Sequence, residues 1–374
     1  MRALIVILFL ISCLPFTQGT RDCSRVINSL NFHLNKINFN YSKKQNFVYS
    51  AYSLGEAISS ILFLLSEQAK QDIQKQIGLT HSNLVDCFSK LREKKKHFTV
   101  FKSANKIWLD ENVKVNKMRL REITENVGKI ITVMDIRKNT CFARHTINSW
   151  ILNHTNGMIQ NFLDEGALTS QSKVIVTNAI YFHGTWKFPF EKKFTSNRDF
   201  FMSPKEKIEV PTMANTLNVN YYGDKEFGKM VEIPYKGDRY AMIILLSKSD
   251  TDLNKTVFNN AIKKMKKRKL KLFFPKFKIL SKLELKQALV KMKLKMLFSK
   301  IDFVQDDVYF DQVLHQCQIT VDEEGSEASA GTGVMSGRSM TQSFHVNKPF
   351  HFFIRNIQTN MILFSGYVVK PSWT

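Results

Sequence analysis

The apolar segment near the end of the chain constrains the fold most. Residues 350–355 and 361–369 are apolar at successive positions, and a turn at 356–360 joins them. A strand exposed on one face alternates apolar with polar residues, whereas a strand covered on both faces is apolar throughout. We therefore expect a hairpin that is buried on both faces, and a chain of 374 residues is long enough to cover it.

The rest of the chain mixes helical and strand patterns. Apolar residues at helical spacing predict helices at 24–37, 53–65, 83–96, 139–163 and 257–268. Ser53 is the expected N-cap of the second helix, and Ile147, Ile151, His154 and Met158 share one face of the fourth. Strand patterns occur at 100–109, 130–135, 173–182, 207–214, 219–222, 230–234, 240–246 and 270–277. A length of about 370 residues suggests two or three domains, although some large folds of that length form one. Because there is no internal repeat and no linker rich enough to be a boundary, the sequence predicts one α+β domain.

The first residues predict the compartment. Arg2 is followed by an apolar run at 3–14 and by small residues that end near Gly19. This pattern is typical of a cleaved secretory signal at 1–19, with a buried N-terminal helix as the alternative. We expect a mature domain at 20–374 that is secreted to the extracellular space, has no transmembrane segment and is a monomer. The sequons at Asn40, Asn153 and Asn254 would then be open to glycosylation.

Four cysteines remain after the predicted signal is removed: Cys23, Cys87, Cys141 and Cys317. Their spacing fits no zinc pattern, so we expect no metal site. Three pairings are open to four cysteines. The residues alone leave two alternatives, which are four buried thiols or one disulfide with two free cysteines.

The chain is strongly basic, with 55 Lys and Arg against 32 Asp and Glu and a net charge of +23. Such an excess predicts attraction to polyanions. One basic cluster falls in the helix predicted at 257–268, where helical spacing would place Lys263, Lys264, Lys267 and Lys271 on one face. Lys266, Arg268 and Lys269 add to it. A solvated lysine surface is the alternative, and no base-reading motif favours nucleic acid.

A second basic cluster ends the helix predicted at 83–96. It consists of Lys90, Arg92, Lys94, Lys95 and Lys96. Because cations stabilise the C-terminus of a helix, this run needs no ligand to explain it.

Enzyme motifs are incomplete throughout the sequence. The segment 223–230 has the spacing of a phosphate-binding loop, but Met230 stands where a hydroxyl must hold magnesium. The glycines at 331, 333 and 337 fail the dinucleotide-binding pattern. No G-x-S-x-G or H-E-x-x-H motif is present. We expect a protein that is not an enzyme and needs no cofactor.

The segment 321–340, VDEEGSEASAGTGVMSGRSM, has a distinctive alternation. In an extended conformation Ser326, Ala328, Ala330 and Thr332 would point to one face and Glu327 to the other. One face is therefore small and nearly apolar, so such a strand could enter a packed sheet without overfilling it. It contains no proline to interrupt a ladder. A flexible surface loop is the alternative interpretation.

Several motifs, in order along the chain, resemble those of the serpins. They are FVYSAYSLGEA, INSWILNHTNGMI, TNAIYFHGTWKFPF, VEIPYKGDRYAMIILL, VDEEGSEASAGTG and HVNKPFHFFIRNIQTNMILFSGYVVKP. The resemblance implies three β-sheets, about nine helices and an exposed reactive-centre loop at about 323–345. It also implies inhibition of a serine protease through cleavage of that loop, which then inserts into the central sheet. The alternative is a non-inhibitory serpin that acts as a carrier, chaperone or polyanion-binding protein.

The resemblance also implies roles for individual residues. Ser50, Ser53, Asn178 and His315 match the polar cluster that controls opening of the central sheet, and Trp186 matches the tryptophan at the loop-entry point. The hinge comprises Glu323, Gly325, Ser326, Glu327, Ala328, Ala330 and Thr332. The sequence departs from the family pattern in SAYS, which lacks the usual proline, and at Ser329 and Gly331, which interrupt the alanine run.

The cleaved bond follows from serpin spacing. Counting back from Pro349 gives Arg338 and counting forward from Gly325 gives Ser339, and we choose Arg338–Ser339. An arginine there implies a trypsin-like target, held as a covalent acyl complex. The family further implies a Cys23–Cys87 disulfide. Because both basic clusters match heparin-binding helices of serpins, it also implies heparin or another sulfated polysaccharide as an activator.

Overall fold

A computed structural model describes the chain at residues 18–41, 45–78, 80, 99–127, 130–248, 253–310, 313–325 and 341–373. Its α-helices are α1 Gln18–Tyr41, α2 Ala51–Leu62, α3 Glu67–Ile77, α4 Lys117–Val127, α5 Thr140–His154, α6 Lys255–Lys264 and α7 Lys286–Lys291. Two 3-10 helices lie at Lys192–Phe194 and Lys295–Phe298.

Fourteen strands lie in these parts of the chain. They are β1 Phe47–Tyr49, β2 Thr99–Asp110, β3 Ile131–Met134, β4 Val174–Gly184, β5 Ser196–Ser203, β6 Glu206–Asp224 and β7 Gly228–Pro234. The others are β8 Tyr240–Ser247, β9 Lys266–Pro275, β10 Phe277–Glu284, β11 Val313–Val321, β12 Gln342–His345, β13 Phe350–Asn356 and β14 Ile362–Val368.

The strands form two sheets. The five-stranded sheet has the order β10-β11-β4-β2-β3, and the nine-stranded sheet has the order β1-β14-β13-β8-β7-β6-β9-β12, with β5 also paired to β6. Helix α2 packs against β14 of the larger sheet and against β2 and β4 of the smaller one, so it lies between them. Helix α5 packs on β2. Among the described residues, no helix is both long and apolar enough to span a bilayer.

The α+β class is confirmed, while the counts differ from the expected three sheets and nine helices. The described residues contain seven α-helices and two sheets. One strand explains the difference in sheets, because β6 runs unbroken where the sequence predicted separate strands at 207–214 and 219–222. One part of β6 pairs with β5 and β9 and another with β7, so two expected sheets become one.

The predicted C-terminal hairpin is confirmed. Strands β13 and β14 pair in antiparallel fashion, and every residue of both strands is buried. Strand β14 also pairs with β1, and β13 with β8, so both strands are central. The continuous apolar run therefore reflects cover on both faces.

Several predicted helix boundaries are wrong. The helix predicted at 24–37 spans Gln18–Tyr41, and three other boundaries differ for identifiable reasons. The helix predicted at 139–163 ends at His154, because Asn156 and Gly157 have φ angles of 53° and 76° that a helix does not allow. Only Ala143, Ile147 and Ile151 of α5 are buried, and His154 is exposed.

At the second boundary, the N-cap of α2 is Ser50 rather than Ser53. The Ser50 hydroxyl accepts a hydrogen bond from the Ser53 backbone N–H at 3.1 Å. At the third, the helix predicted at 257–268 ends at Lys264, and β9 begins at Lys266. The helix predicted at 83–96 lies outside the described residues.

Candidate functional site

The centre of the five-stranded sheet is a parallel pair of strands. Strands β11 and β4 are in register from Val313 opposite Val176 to Ile319 opposite Phe182. The chain leaves β11 directly into residues 323–325, the first part of the hinge predicted at 323–332. The hinge therefore begins at the end of this strand pair.

Main-chain and indole hydrogen bonds hold the hinge against the segment after β4. The backbone N–H of Trp186 donates to the Glu324 carbonyl at 3.1 Å, and its indole N–H donates to the Asp322 carbonyl at 2.9 Å. The backbone N–H of Phe190 donates to the Glu323 carbonyl at 2.8 Å. The indole of Trp186 is buried and stacks on Tyr235 at 4.4 Å between ring centroids. Trp186 thus contacts residues 322–324 directly, while its role at the loop-entry point stays a prediction.

Gly325 allows a close approach that no other residue could make. It has a φ angle of 76°, and a Cβ there would lie 2.3 Å from the Gly184 carbonyl oxygen and 2.5 Å from the Trp186 nitrogen. A side chain at this position would therefore push the hinge away from β4.

The Glu323 side chain anchors the same turn. Its carboxylate is buried, accepts a hydrogen bond from the Thr195 hydroxyl at 2.8 Å and pairs with the Lys276 ammonium at 2.8 Å. Burial raises the pKa of Glu323, but the hydrogen bonds from Lys276 and Thr195 outweigh burial, so its pKa lies below the usual range. The charged carboxylate therefore ties the end of β11 to the start of β5 and to β10.

A polar cluster joins β11 and β4 beneath the hinge. His315 and Asn178 are directly opposite, and the His315 Nδ1 contacts the Asn178 Oδ1. The Asn178 amide nitrogen donates to the Ser53 carbonyl at 2.9 Å and to the Ser53 hydroxyl at 2.8 Å. The Ser50 backbone N–H donates to the His315 Nε2 at 3.0 Å, and the Ser50 hydroxyl donates to the Leu363 carbonyl at 2.6 Å. The four residues that the sequence grouped are thus in contact.

The tautomer of His315 follows from these contacts. Because Nε2 accepts the Ser50 N–H, the ring proton must be on Nδ1, which donates to Asn178. Burial lowers the pKa of His315 to about 3, so the ring is neutral at physiological pH. A neutral imidazole here joins both strands to the start of α2.

Sequence reasoning missed three members of this cluster. The Glu56 carboxylate on α2 accepts from the Ser103 hydroxyl at 2.9 Å and from the Asn105 amide at 2.7 Å, and Asn105 also contacts Asn178. The signal in the sequence was the presence of Ser103 and Asn105, two uncharged polar residues, inside the strand predicted at 100–109. They extend the cluster from β4 to β2.

The remaining predicted site residues are less fully described. Ser326, Glu327, Ala328, Ala330, Thr332, Arg338, Ser339, Lys90, Arg92, Lys94, Lys95, Lys96 and Cys87 lie outside the described residues. Most of the predicted signal also lies outside them, and α1 begins at Gln18. Asn40 is in α1, Asn153 is exposed on α5, and Asn254 is the N-cap of α6.

The cysteines resolve one alternative. Cys23 is disulfide-bonded, whereas Cys141 and Cys317 are free. The alternative of four buried thiols is therefore wrong, and Cys141 is in fact exposed. The cysteine bonded to Cys23 lies outside the described residues, so the pairing with Cys87 stays a prediction.

The basic cluster at 263–271 does not form the predicted helical face. Lys263 and Lys264 end α6, whereas Lys266, Lys267, Arg268, Lys269 and Lys271 belong to β9. In a strand, residues two apart share a face, so Lys267, Lys269 and Lys271 form one row. All three are exposed, while Leu270 and Leu272 between and beside them are buried. The apolar alternation of 270–274 was the signal for a strand.

Comparison with known proteins identifies the family. The family model described as serpin (serine protease inhibitor) matches residues 26–371, and the chain belongs to this family. An uncharacterized serpin-like protein of Methanosarcina acetivorans is 33% identical over 288 residues, covering 72% of this chain and 68% of that protein. Antithrombin-III of Mus musculus is 30% identical over 72% of this chain and 62% of its own length.

More distant similarities extend over more of the chain. Alaserpin of Manduca sexta is 27% identical over 87% of this chain and 88% of its own length. A crystal structure of uncleaved ovalbumin superposes with a TM-score of 0.77 at 22% identity, covering 94% of this chain and 99% of that one. This likeness supports the serpin fold.

We predict that His315→Asn weakens the pH dependence of stability. The folded pKa of His315 is about 3, against an ordinary value near 6.5. Its contribution to the free energy of unfolding is complete above the ordinary value and is lost as the pH falls below it. Urea unfolding near pH 7 and near pH 5 should give a fall in free energy that is about 2 kcal/mol smaller in the variant.

His145→Asn is the matched control, because His145 is exposed on α5. It should keep the parent's pH dependence. His351, whose pKa burial also lowers to about 3, leaves a residual slope in both variants. An equal fall in the parent and in His315→Asn would contradict the prediction.

Proposed function

We propose that the protein is a secreted inhibitor of trypsin-like serine proteases that is consumed as it acts. The protease serine attacks the Arg338 carbonyl and forms an ester, and the amine of Ser339 leaves as a new N-terminus. The freed loop then enters the central sheet before water hydrolyses the ester. The observation that best supports this proposal is the hinge, which is anchored at the end of the parallel β11–β4 pair.

The strand directions of the sheet fit an insertion. Because β11 and β4 are parallel, a strand that turns back from the end of β11 and lies between them would be antiparallel to both. Parallel pairing is slightly less stable per residue than antiparallel pairing, so the exchange would favour the inserted state. Insertion would also separate the His315–Asn178 contact, which now joins the two strands.

Two features support the remaining parts of the proposal. The disulfide at Cys23 fits an oxidising compartment, as expected after secretion. The exposed lysine row on β9 fits assistance by a sulfated polysaccharide such as heparin.

Arg338 is predicted to determine the target. Arg338→Ala should abolish the covalent complex with trypsin, because the acidic specificity pocket loses its cationic partner, whereas Arg338→Lys should retain it. A denaturing gel measures the complex. Sequencing of the released C-terminal peptide should begin at Ser339, and a start at Met340 would show that the predicted register is wrong. If the parent forms no complex with any of a panel of serine proteases, the carrier or chaperone alternative is favoured.

The alternation at the hinge predicts a difference between neighbouring residues. Ser326→Arg would force a cation into the packed core face of the sheet, where an unpaired charge costs at least several kcal/mol. Insertion should lag behind hydrolysis, so the variant becomes a cleaved substrate. Glu327→Arg points to the opposite face and should be much milder. The measurement is the ratio of covalent complex to cleaved inhibitor, and a ratio for Ser326→Arg equal to the parent's rules out insertion as the mechanism.

The row of exposed lysines on β9 predicts that heparin binds at this part of the surface. Neutralising Lys267, Lys269 and Lys271 to Gln should lower the salt concentration that elutes the protein from immobilised heparin. Charges are screened over about 8–10 Å at physiological salt, so a row acts together where single lysines contribute little. The control is Lys75→Gln, Lys117→Gln and Lys295→Gln, three exposed lysines on separate helical segments. If both triple variants elute at equally lowered salt, heparin binding depends on the overall charge of the protein and not on this row.

A further inference from the structure

A cavity of about 570 Å³ opens beside the edge strand β12. Its walls come from β12 and the residues that follow it, from the turn between β6 and β7, and from the end of β8. Tyr221, Leu246 and Phe344 are its buried apolar part, and the rings of Tyr221 and Phe344 meet edge to face at 6.2 Å. The cavity thus has an aromatic floor.

Four lysines also line this cavity. Lys225 and Lys229 flank the β6–β7 turn, Lys248 follows β8, and Lys348 follows β12. All four are exposed, and none forms an ion pair within the described parts of the chain. Residues remote in sequence therefore bring like charges together around one cavity.

The single carboxylate in the lining does not neutralise them. The Asp224 Oδ1 accepts the backbone N–H groups of Glu226 at 2.8 Å and Phe227 at 3.0 Å. These bonds lower the pKa of Asp224 and direct the carboxylate to its own turn. Asp224 therefore serves the turn, and the lysines keep their excess of positive charge.

His345 experiences this positive field. It also lines the cavity, and its ring stacks on Phe273 at 4.5 Å. Burial lowers the pKa of His345, and the nearby charges of Arg198, Lys229 and Lys271 lower it further. Cations from β5, β7 and β9 thus converge on this end of β12.

We infer that the cavity binds a compact polyanion, which carries several sulfate or phosphate groups on a small carbon frame. The lysines would hold the anionic groups, and the frame would lie on the floor of Tyr221 and Phe344. The four lysines come from three separate chain segments around the cavity, so a ligand with several anionic groups suits them better than a single inorganic ion. The lysine row on β9 is adjacent, because Lys271 is paired with Ser343, but none of its three lysines lines the cavity.

Binding would also hold the C-terminal end of the predicted reactive-centre loop in place. Strand β12 is the C-terminal end of the predicted reactive-centre loop. Among the described strands it pairs with β9 alone, over four residues from Gln342 opposite Leu270 to His345 opposite Phe273. A ligand that contacts Lys348 and His345 on one side and Lys225 and Lys229 on the other would link this edge strand to the β6–β7 turn. The ligand therefore stabilises the attachment of the loop.

Isothermal titration calorimetry tests the site with two probes, a trisulfated heparin disaccharide and inositol hexakisphosphate. We expect at least one probe to bind the parent. The variant Lys225→Gln, Lys229→Gln and Lys348→Gln should bind it at least about tenfold more weakly. A preference for the disaccharide identifies a sulfated sugar as the ligand, and a preference for the hexakisphosphate identifies a phosphate ester.

Two controls separate the site from bulk charge. Lys75→Gln with Lys117→Gln and Lys295→Gln removes the same charge elsewhere and should change affinity less than about threefold. Ser343→Trp fills the lining without changing charge and should also abolish binding. The inference is overturned if neither probe binds, if both triple variants lose affinity equally, or if Ser343→Trp binds as the parent does.

Hydrogen exchange tests the effect on the loop. With a bound probe, the β12 amides should exchange at least about threefold more slowly, because the edge strand opens less often. Unchanged exchange with a bound probe would contradict the link to the loop. Neither readout uses a protease, so both remain valid if the proposed inhibition fails.

Discussion

The contact between the imidazole of His315 and the amide of Asn178 is the interaction on which the central sheet depends. It joins the parallel strands β11 and β4, and it extends to Ser50 and Ser53 at the start of α2. Each member is buried and has a partner, so losing one leaves others unsatisfied, at a cost of about 1–3 kcal/mol per group. A small polar network thereby joins two strands and the helix between the sheets.

Some buried polar side chains of the five-stranded sheet have no hydrogen-bond partner among the described residues. The Gln316 Oε1, the Gln318 Nε2 and the Thr320 hydroxyl on β11 are buried, and the described residues provide no hydrogen-bond partner for them. These side chains alternate with His315, Cys317 and Ile319, so they lie on the opposite face of the strand. The same strand therefore has a well-bonded face toward α2 and an unsatisfied face opposite it. Such a sheet is stable as a whole while its central strand retains polar groups that a new neighbour could satisfy.

The sequence predicted which segments form strands better than it predicted whether neighbouring segments belong to one continuous strand. The hairpin of β13 and β14 was recognisable because most of its positions are apolar with no regular polar alternation, and Ser50, Ser53, Asn178 and His315 were grouped through family motifs. The joining of two sheets through β6 was not predictable, because Leu217 and the polar residues around it read as a break between strands. The lysines of β9 led to a wrong prediction of a helix for a related reason. Short lysine-rich runs satisfy helical and strand spacing equally, and the buried partners Leu270 and Leu272 decide between them.

The position of His315 along β11 has a consequence for the order of events. The paired residues nearest the hinge are Ile319 and Phe182, and three more pairs follow before His315 opposite Asn178 is reached. In the proposed insertion, a strand entering from the hinge would separate those first pairs before it reached the polar network. Insertion would therefore meet this network at a defined depth in the sheet. The polar cluster would then resist further insertion only after the first residues of the loop had entered the sheet.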